Sequence, residues 1–181
     1  MDYAVVLYFD EQSQARLLSI MENICDAGIN RYMLDVGIRP HITLAAWNDE
    51  KERDLTNEIK QFALEVEGTG VLFSSIGIFP ADQSVVYLSP VKDDNLNNIH
   101  SRFYQKLGGL IGNFVKYYTP DHWVPHCTLA AKLTKAEVLE SVSILMDIQF
   151  PIKATISQVE LIKCKPMEEI LSCEVKFQHD I

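Results

Sequence analysis

The sequence predicts an α/β (α+β) fold. It reads as bilobal, with two pseudo-twofold-related strand-helix-strand-helix-strand repeats whose mainly antiparallel sheets face a central cleft. Three observations predict this. Apolar runs of strand length alternate with stretches of helical period. The octet PHITLAAW at 40–47 returns as PHCTLAAK at 125–132. Landmarks in the two halves also keep near-constant offsets: Val5 to Val85, His41 to His126 and Val71 to about Ala154 are 80, 85 and about 83 residues apart. Such spacing marks an internal duplication.

Each element follows from its residues. YAVVLYF at 3–9 is β-branched and aromatic and reads as a buried strand. From Asp10, Leu17, Ile20, Met21 and Ile24 share one helical face, and Gly28 ends that helix. The first repeated octet is a strand at 41–47. Asn48 or Asp49 is expected to cap a helix carrying Leu55, Ile59, Phe62 and Val66, and a strand follows at 71–79. The order then restarts: a strand at 85–88, a helix with Leu96, Ile99, Phe103 and Leu107 ending at Gly108–Gly109, and the second octet as a strand. Thr134-x-x-Glu137 is a capping box, opening a helix expected to bury Val138, Val142, Leu145 and Met146. A strand near 154–163 comes next. A last strand is marked by Leu171, Cys173, Val175 and Phe177 alternating with polar residues. IFPADQSVVY only turns the chain between halves, so residues 1–181 are expected to form a single bilobal domain, with repeat 1 over about 1–80 and repeat 2 over about 81–181.

Charge and cysteine usage narrow the function. The net charge is −9, without a Lys/Arg cluster. Grip on a long duplex comes mainly from neutralised phosphates, so duplex DNA is excluded as a partner and a nucleic-acid substrate should be small or held at its end. Four cysteines are scattered with no Cys-x-x-Cys pair, which argues against a zinc ribbon or a redox motif. The amino terminus has no basic stretch and too short an apolar run for a signal or a span. The expectation is a cytoplasmic protein, monomeric, with reduced thiols and no membrane partner.

The repeated octets carry the chemistry. On a strand, residues i and i+2 share a face. His41 and Thr43 therefore face together, as do His126 and Thr128, while Ile42, Leu44, Cys127 and Leu129 face the core. A twofold axis brings the two imidazole–hydroxyl pairs across a cleft. Two imidazoles of ordinary pKa near ~6.5 can hold opposite protonation states at neutral pH, one taking a proton and one giving it. Placed on either side of a phosphorus atom they suit in-line displacement, with the threonines donating to the non-bridging oxygens. No metal or other cofactor is implied, since no carboxylate stands at ligand spacing.

At these residues the chain resembles the two-histidine phosphoesterase superfamily, in particular its branch of bacterial 2′-5′ RNA ligases and cyclic phosphodiesterases. His41-Ile42-Thr43-Leu44 and His126-Cys127-Thr128-Leu129 both match that family's His-x-Thr/Ser-hydrophobe motif. The first strand-helix unit and the stretch from Phe79-Pro80 to Val85–Leu88 match as well. The resemblance implies hydrolysis of a 2′,3′-cyclic phosphodiester of a nucleotide or RNA end to a 2′-phosphomonoester, or reversible 2′-5′ joining of RNA ends. It also implies that His41 is the proton donor and His126 the acceptor. Ligase-like members often carry an arginine after the second motif, where this chain has Lys132.

Other residues are candidates for holding substrate. Arg39 and Lys132 flank the motifs and are placed to meet a phosphate. Tyr32 and Phe79 are the favoured stacking partners for a base, ahead of Trp47, Tyr118 and Trp123, for which core packing is expected. His122 is read as a loop residue that could touch substrate. Cys127 is expected to be buried and inert, His100 to sit at a boundary, and His179 to be solvated. Two other classes compete with the phosphoesterase: a module that binds a nucleotide or RNA end without turnover, and a metal hydrolase using the histidines as ligands. An ATP-dependent ligase is disfavoured, because no G-x-x-x-x-G-K-[ST] loop is present.

Overall fold

The computed structural model describes residues 1–48 and 54–177. In chain order the elements are β1 (Tyr3–Phe9), α1 (Glu11–Asp26), α2 (Tyr32–Asp35), β2 (His41–Trp47), α3 (Thr56–Ala63), β3 (Thr69–Phe79), β4 (Ser84–Pro90), α4 (Asp94–Leu107), β5 (Cys127–Leu133), α5 (Lys135–Met146), β6 (Ile152–Cys164) and β7 (Met167–Glu174). A 3-10 turn at Lys116–Tyr118 interrupts the loop before β5. Among the described residues no helix is long and apolar enough to cross a membrane.

Seven strands form one sheet in the order β2-β1-β6-β3-β4-β5, with β7 added to β6, and every strand pair is antiparallel. Exchanging β1 with β4, β2 with β5 and β3 with β6 leaves this order unchanged. The exchange holds at single-residue register. Val71 pairs with Ala154 at the centre of the β3–β6 ladder, so the two landmarks lie opposite each other on the axis. Leu7 pairs with Ile42 as Leu88 pairs with Cys127, and Val5 with Ala45 as Val86 with Ala130. The partner of Val5 in the second half is therefore Val86 and not Val85, one residue from the sequence alignment.

The halves of the sequence are not halves in space. β6, from the second repeat, pairs with β1, and β3, from the first, pairs with β4. The third strand of each repeat completes the other repeat's sheet.

β1 is buried along nearly its whole length because both of its faces are covered. Val5, Leu7 and Phe9 enter the large core beneath the helices. Ala4, Val6 and Tyr8 join Ala46 and Ile162 in a second apolar layer, over which Val115 and Tyr118 pack.

The helix ends follow local chemistry. Asp10 caps α1 by accepting from the Ser13 N–H at 2.8 Å, and Gly28 turns the chain away at φ +87°. Thr134 and Glu137 form the reciprocal capping box of α5. Three expectations need correction. α3 begins at Thr56 without a side-chain cap, and Asp54 instead accepts from the Thr56 N–H and hydroxyl; Asn48 lies well before it, and Asp49 is outside the described residues. On α5 the inward face is Val138, Ser141 and Leu145, while Val142 is half-buried and Met146 is 76% exposed. Met146 stands about 100° round the helix from Leu145, and Ser141 fits inside because its hydroxyl donates to the Glu137 carbonyl. Phe177, placed on the buried side of the last strand, lies beyond the end of β7 and is half exposed. Replacing the α5 cap, Thr134→Ala, is expected to lower stability by about 1 kcal/mol in urea unfolding, with the m-value unchanged.

Candidate active site

β2 and β5 are the two ends of the strand path, and each carries one repeated motif. Both have the same irregularity: the ladder slips one residue at Leu44 and at Leu129. A bulge of this kind re-aims a strand, and here it comes just after the His-x-Thr triplet. Ile42, Leu44, Cys127 and Leu129 are buried in the large core, which leaves His41 with Thr43, and His126 with Thr128, on the opposite face.

The two end strands meet. The His41 backbone N–H donates to the Cys127 thiol, and the Trp123 Nε1–H donates to the Thr43 carbonyl at 3.0 Å. Burial pushes the Cys127 thiol up to about 12, which makes it inert as a nucleophile. Each loop preceding a motif strand also straps the other motif strand. Val115 N–H donates to Ala46 O and Asn48 N–H to Asn113 O; the Asn30 side-chain amide donates to Lys132 O.

Both imidazoles are held in one tautomer. His41 Nδ1 lies 2.8 Å from the Arg39 carbonyl and His126 Nδ1 lies 2.7 Å from the Val124 carbonyl. A carbonyl only accepts, so Nδ1 carries the hydrogen in each ring and Nε2 is the nitrogen left for a ligand. Burial lowers the pKa of His41 to about 4, helped by the charges of His126 and Arg39 and opposed by the carbonyl hydrogen bond. Burial also lowers His126, against its bond to Val124.

The residues singled out from sequence fall into groups. Phe79 lies with its ring 4.9 Å from His126, edge on, and stacks on Tyr87 at 4.3 Å. Arg39 forms an ion pair with Glu160, contacts Gln158 and lies 3.8 Å over the Tyr8 ring. Its guanidinium, 44% exposed, is thus already engaged, while its carbonyl orients His41. Lys132 and Tyr32 come together with the ammonium 3.6 Å from the ring, but not beside the imidazoles. Lys132 stands at the second of two slips in the β5 ladder, with its backbone at φ 59°. His122 is exposed and its Nδ1 meets the Thr119 hydroxyl at 3.2 Å. His100 is a correction: it is 3% exposed, stacked 3.9 Å from Trp123, with Nε2–H donating to the Tyr118 carbonyl. The α4 face that buries Ile99 and Phe103 is wide enough to take it. His179 lies outside the described residues.

Two rings beside the histidines were not singled out from sequence, and a third, Tyr118, was expected only to pack the core. Tyr8 packs edge-on to His41 at 5.7 Å. Tyr87 lies 5.3 Å from His126. Tyr118 stacks at 6.4 Å on His126 while its hydroxyl is hydrogen-bonded to that of Thr43. Two hydroxyls joined by one hydrogen bond keep one O–H unspent, so this pair can still donate to a ligand. Glu160 is 2% exposed and is satisfied by Arg39 and the Ser172 hydroxyl. The only sequence signal for it was a lone acid inside the apolar run of β6. Removing Arg39 strands that carboxylate. Arg39→Ala is expected to cost up to about 3 kcal/mol, below the range for fully buried pairs because Arg39 is half in water; thermal unfolding of this variant against Glu160→Gln/Arg39→Gln checks it, the double variant being the less damaged.

Comparison with known proteins agrees with this architecture. The structure of TT0787 from Thermus thermophilus superposes with a TM-score of 0.63 at 13% identity, over 99% of this chain and 100% of that one. Escherichia coli LigT in its apo form gives 0.57 at 13% identity, over 97% of both chains. LigT complexed with 3′-AMP gives 0.57 at 13%, over 96% of this chain and 97% of that one. No curated protein sequence matches the chain. The family model described as the 2′-5′ RNA ligase superfamily matches residues 6–165, which takes in both motif strands and, but for the first three residues of β1, every strand except β7, and the chain therefore belongs to that superfamily of phosphoesterases and ligases.

Proposed function

We propose that the protein is a cytoplasmic, monomeric and metal-independent phosphoesterase. Its substrates would be 2′,3′-cyclic phosphodiesters of nucleotides or RNA ends, or 2′-5′ RNA linkages made and broken, with His41 and His126 as the acid–base pair and no cofactor. The observation that carries this reading is the matched anchoring of the two rings. Each Nδ1–H is held by the carbonyl two residues back, so each Nε2 is free, and the rings are close enough for the charge of one to depress the other. An acid and a base on either side of one phosphorus atom need that arrangement. Thr128 beside His126, and Thr43 with the Tyr118 hydroxyl, would donate to the non-bridging oxygens as charge builds on them. Phe79 and Tyr87 offer a ring surface for a base. The solved complex of LigT with 3′-AMP supports a nucleotide as ligand.

One observation favours a second reading. Both imidazoles are depressed below their ordinary value, so at neutral pH the free protein is short of an acid. A module that binds a nucleotide or RNA end without turnover needs none. A panel of cyclic nucleotides, 2′-5′ dinucleotides and cyclic-phosphate RNA ends, run with EDTA, separates the two: product formation establishes the enzyme, and saturable binding with no product establishes the module.

His41→Ala and His126→Ala are each expected to lower kcat by at least ~10²-fold in that assay. Full turnover in both variants would end the assignment. The pH dependence of kcat/KM should be bell-shaped, because one ring must be neutral and the other charged. With His41 near 4 and His126 below 6.5, the maximum should lie on the acid side of pH 6.5, falling above it as the acid is lost and below about 4 as the base is protonated.

A further inference from the structure

β7 lies off the twofold-related strand path, but the seat it takes beside β6 exists on both sides of the axis. The register of the Val71–Ala154 pair carries along both third strands, so Ser75, Ile76, Gly77, Ile78 and Phe79 answer to Gln158, Val159, Glu160, Leu161 and Ile162. The same register runs back into the helices. Glu65 N–H donates to Phe62 O as Ile148 N–H donates to Leu145 O, so Ile59 and Ala63 of α3 answer to Val142 and Met146 of α5.

On one side β7 covers these positions. It pairs antiparallel with β6, setting Cys173 opposite Val159, Ser172 opposite Glu160 and Leu171 opposite Leu161. α3 packs on β7, and Leu171 and Cys173 pack against the core that holds Ile59 and Ala63. Val159, Ile59 and Ala63 are buried, and Leu161 is 3% exposed. On the other side the cover is missing. β3 pairs with β6 only as far as Phe73, and from there on pairs with β4 along its other edge. Among the described residues no strand pairs with the remaining edge of Ser75–Phe79. α5 packs on β4 and β5 instead. Ile76 and Val142 are half-buried, Met146 is exposed, and Ile78 is 43% exposed where Leu161 is not.

The two outer edges also differ in protection. An open strand edge invites another strand, and charge on the edge is the usual deterrent. β7 carries Glu168, Glu169 and Glu174. β3 has no charged residue in its 11; its one slip, between Phe73 and Ser75, and Pro80 stand at the two ends of the open stretch. β7 shows what such a seat takes: a short extended segment, antiparallel, with apolar residues alternating. The net charge of −9 repels a second copy of this chain and draws in a segment of opposite sign.

We infer that the open edge of β3 at Ser75–Phe79 is a docking seat for a basic, extended segment of a partner protein, which adds beside β3 as β7 adds beside β6. The β3 backbone supplies the hydrogen bonds, and Ile76 and Ile78 receive alternate apolar side chains as Val159 and Leu161 receive Cys173 and Leu171. The seat is shorter than its model at one end. Gly68 N–H donates to Lys176 O beyond β7, and the answering residue, Pro151, has no N–H to give. The docked residue opposite Gly77 takes the place that Ser172 holds opposite Glu160. None of this depends on the proposed phosphoesterase chemistry.

The test titrates the isotope-labelled full chain with a short synthetic peptide in which valine alternates with lysine or threonine, read by backbone amide NMR. Saturable shifts centred on Ser75–Phe79 are expected. The same peptide with proline for each threonine loses donors, and one with glutamate for each lysine loses the charge match; both should bind at least ~10-fold more weakly, with the protein itself unchanged. Ile78→Lys, which puts a cation on the edge, should weaken the basic peptide by a similar factor. No saturation below ~1 mM, shifts centred elsewhere, or equal binding of the proline peptide overturns the inference. A wild-type dimer in sedimentation equilibrium that Ile78→Lys makes monomeric gives the edge to a second copy and overturns it as well.

Discussion

The site depends on one short ladder, the five residue pairs from Thr69 with Ile156 to Phe73 with Ile152. There the third strands of the two repeats run antiparallel about the Val71–Ala154 pair. An antiparallel pair has a local twofold axis, and the strand path bonded outward from it keeps that symmetry, with β7 the one strand that has no counterpart. β1 and β2 follow from β6, and β4 and β5 follow from β3, so each motif reaches an end strand at the same distance from the axis. The matching slips at Leu44 and Leu129 give both motifs the same aim. Two imidazoles close enough for the charge of one to act on the other are a consequence of that pairing, which neither repeat makes alone.

Much of this was legible because it is local. The period of two in each His-x-Thr-Leu places imidazole and hydroxyl on one face whatever the rest of the chain does, and the burial of Ile42, Leu44, Cys127 and Leu129 follows from the same alternation. The Gly28 stop and the Thr134–Glu137 box are local in the same way. What was not legible is long-range. Lys132 sits in the repeated octet, yet its ammonium packs on the Tyr32 ring, a partner far away in the chain. Tyr8 and Tyr87 meet the imidazoles through ladders joining residues far apart in the chain, and no spacing in the sequence announces them. His100 and Met146 were misplaced for a smaller reason: a helical face is wide, and one step round it decides between core and water.

The loop before each motif strand crosses to the opposite motif strand. Residues 113–123 lie along β2, with Trp123 bonded to Thr43 O and Tyr118 to the Thr43 hydroxyl, while Asn30 is bonded to Lys132 O and Glu137. The same connections that hold the sheet's two ends together also bring Tyr118 between the two motifs, touching Thr43 of one and His126 of the other.

The exchange of third strands has a consequence for how such a chain could arise. A polypeptide holding one repeat would have a sheet lacking its inner member and a strand with nowhere in its own body to pair. Two copies would each supply what the other lacks. The arrangement is that of a swapped homodimer whose subunits are tethered end to end, and such a tether frees the two copies of any one position to differ.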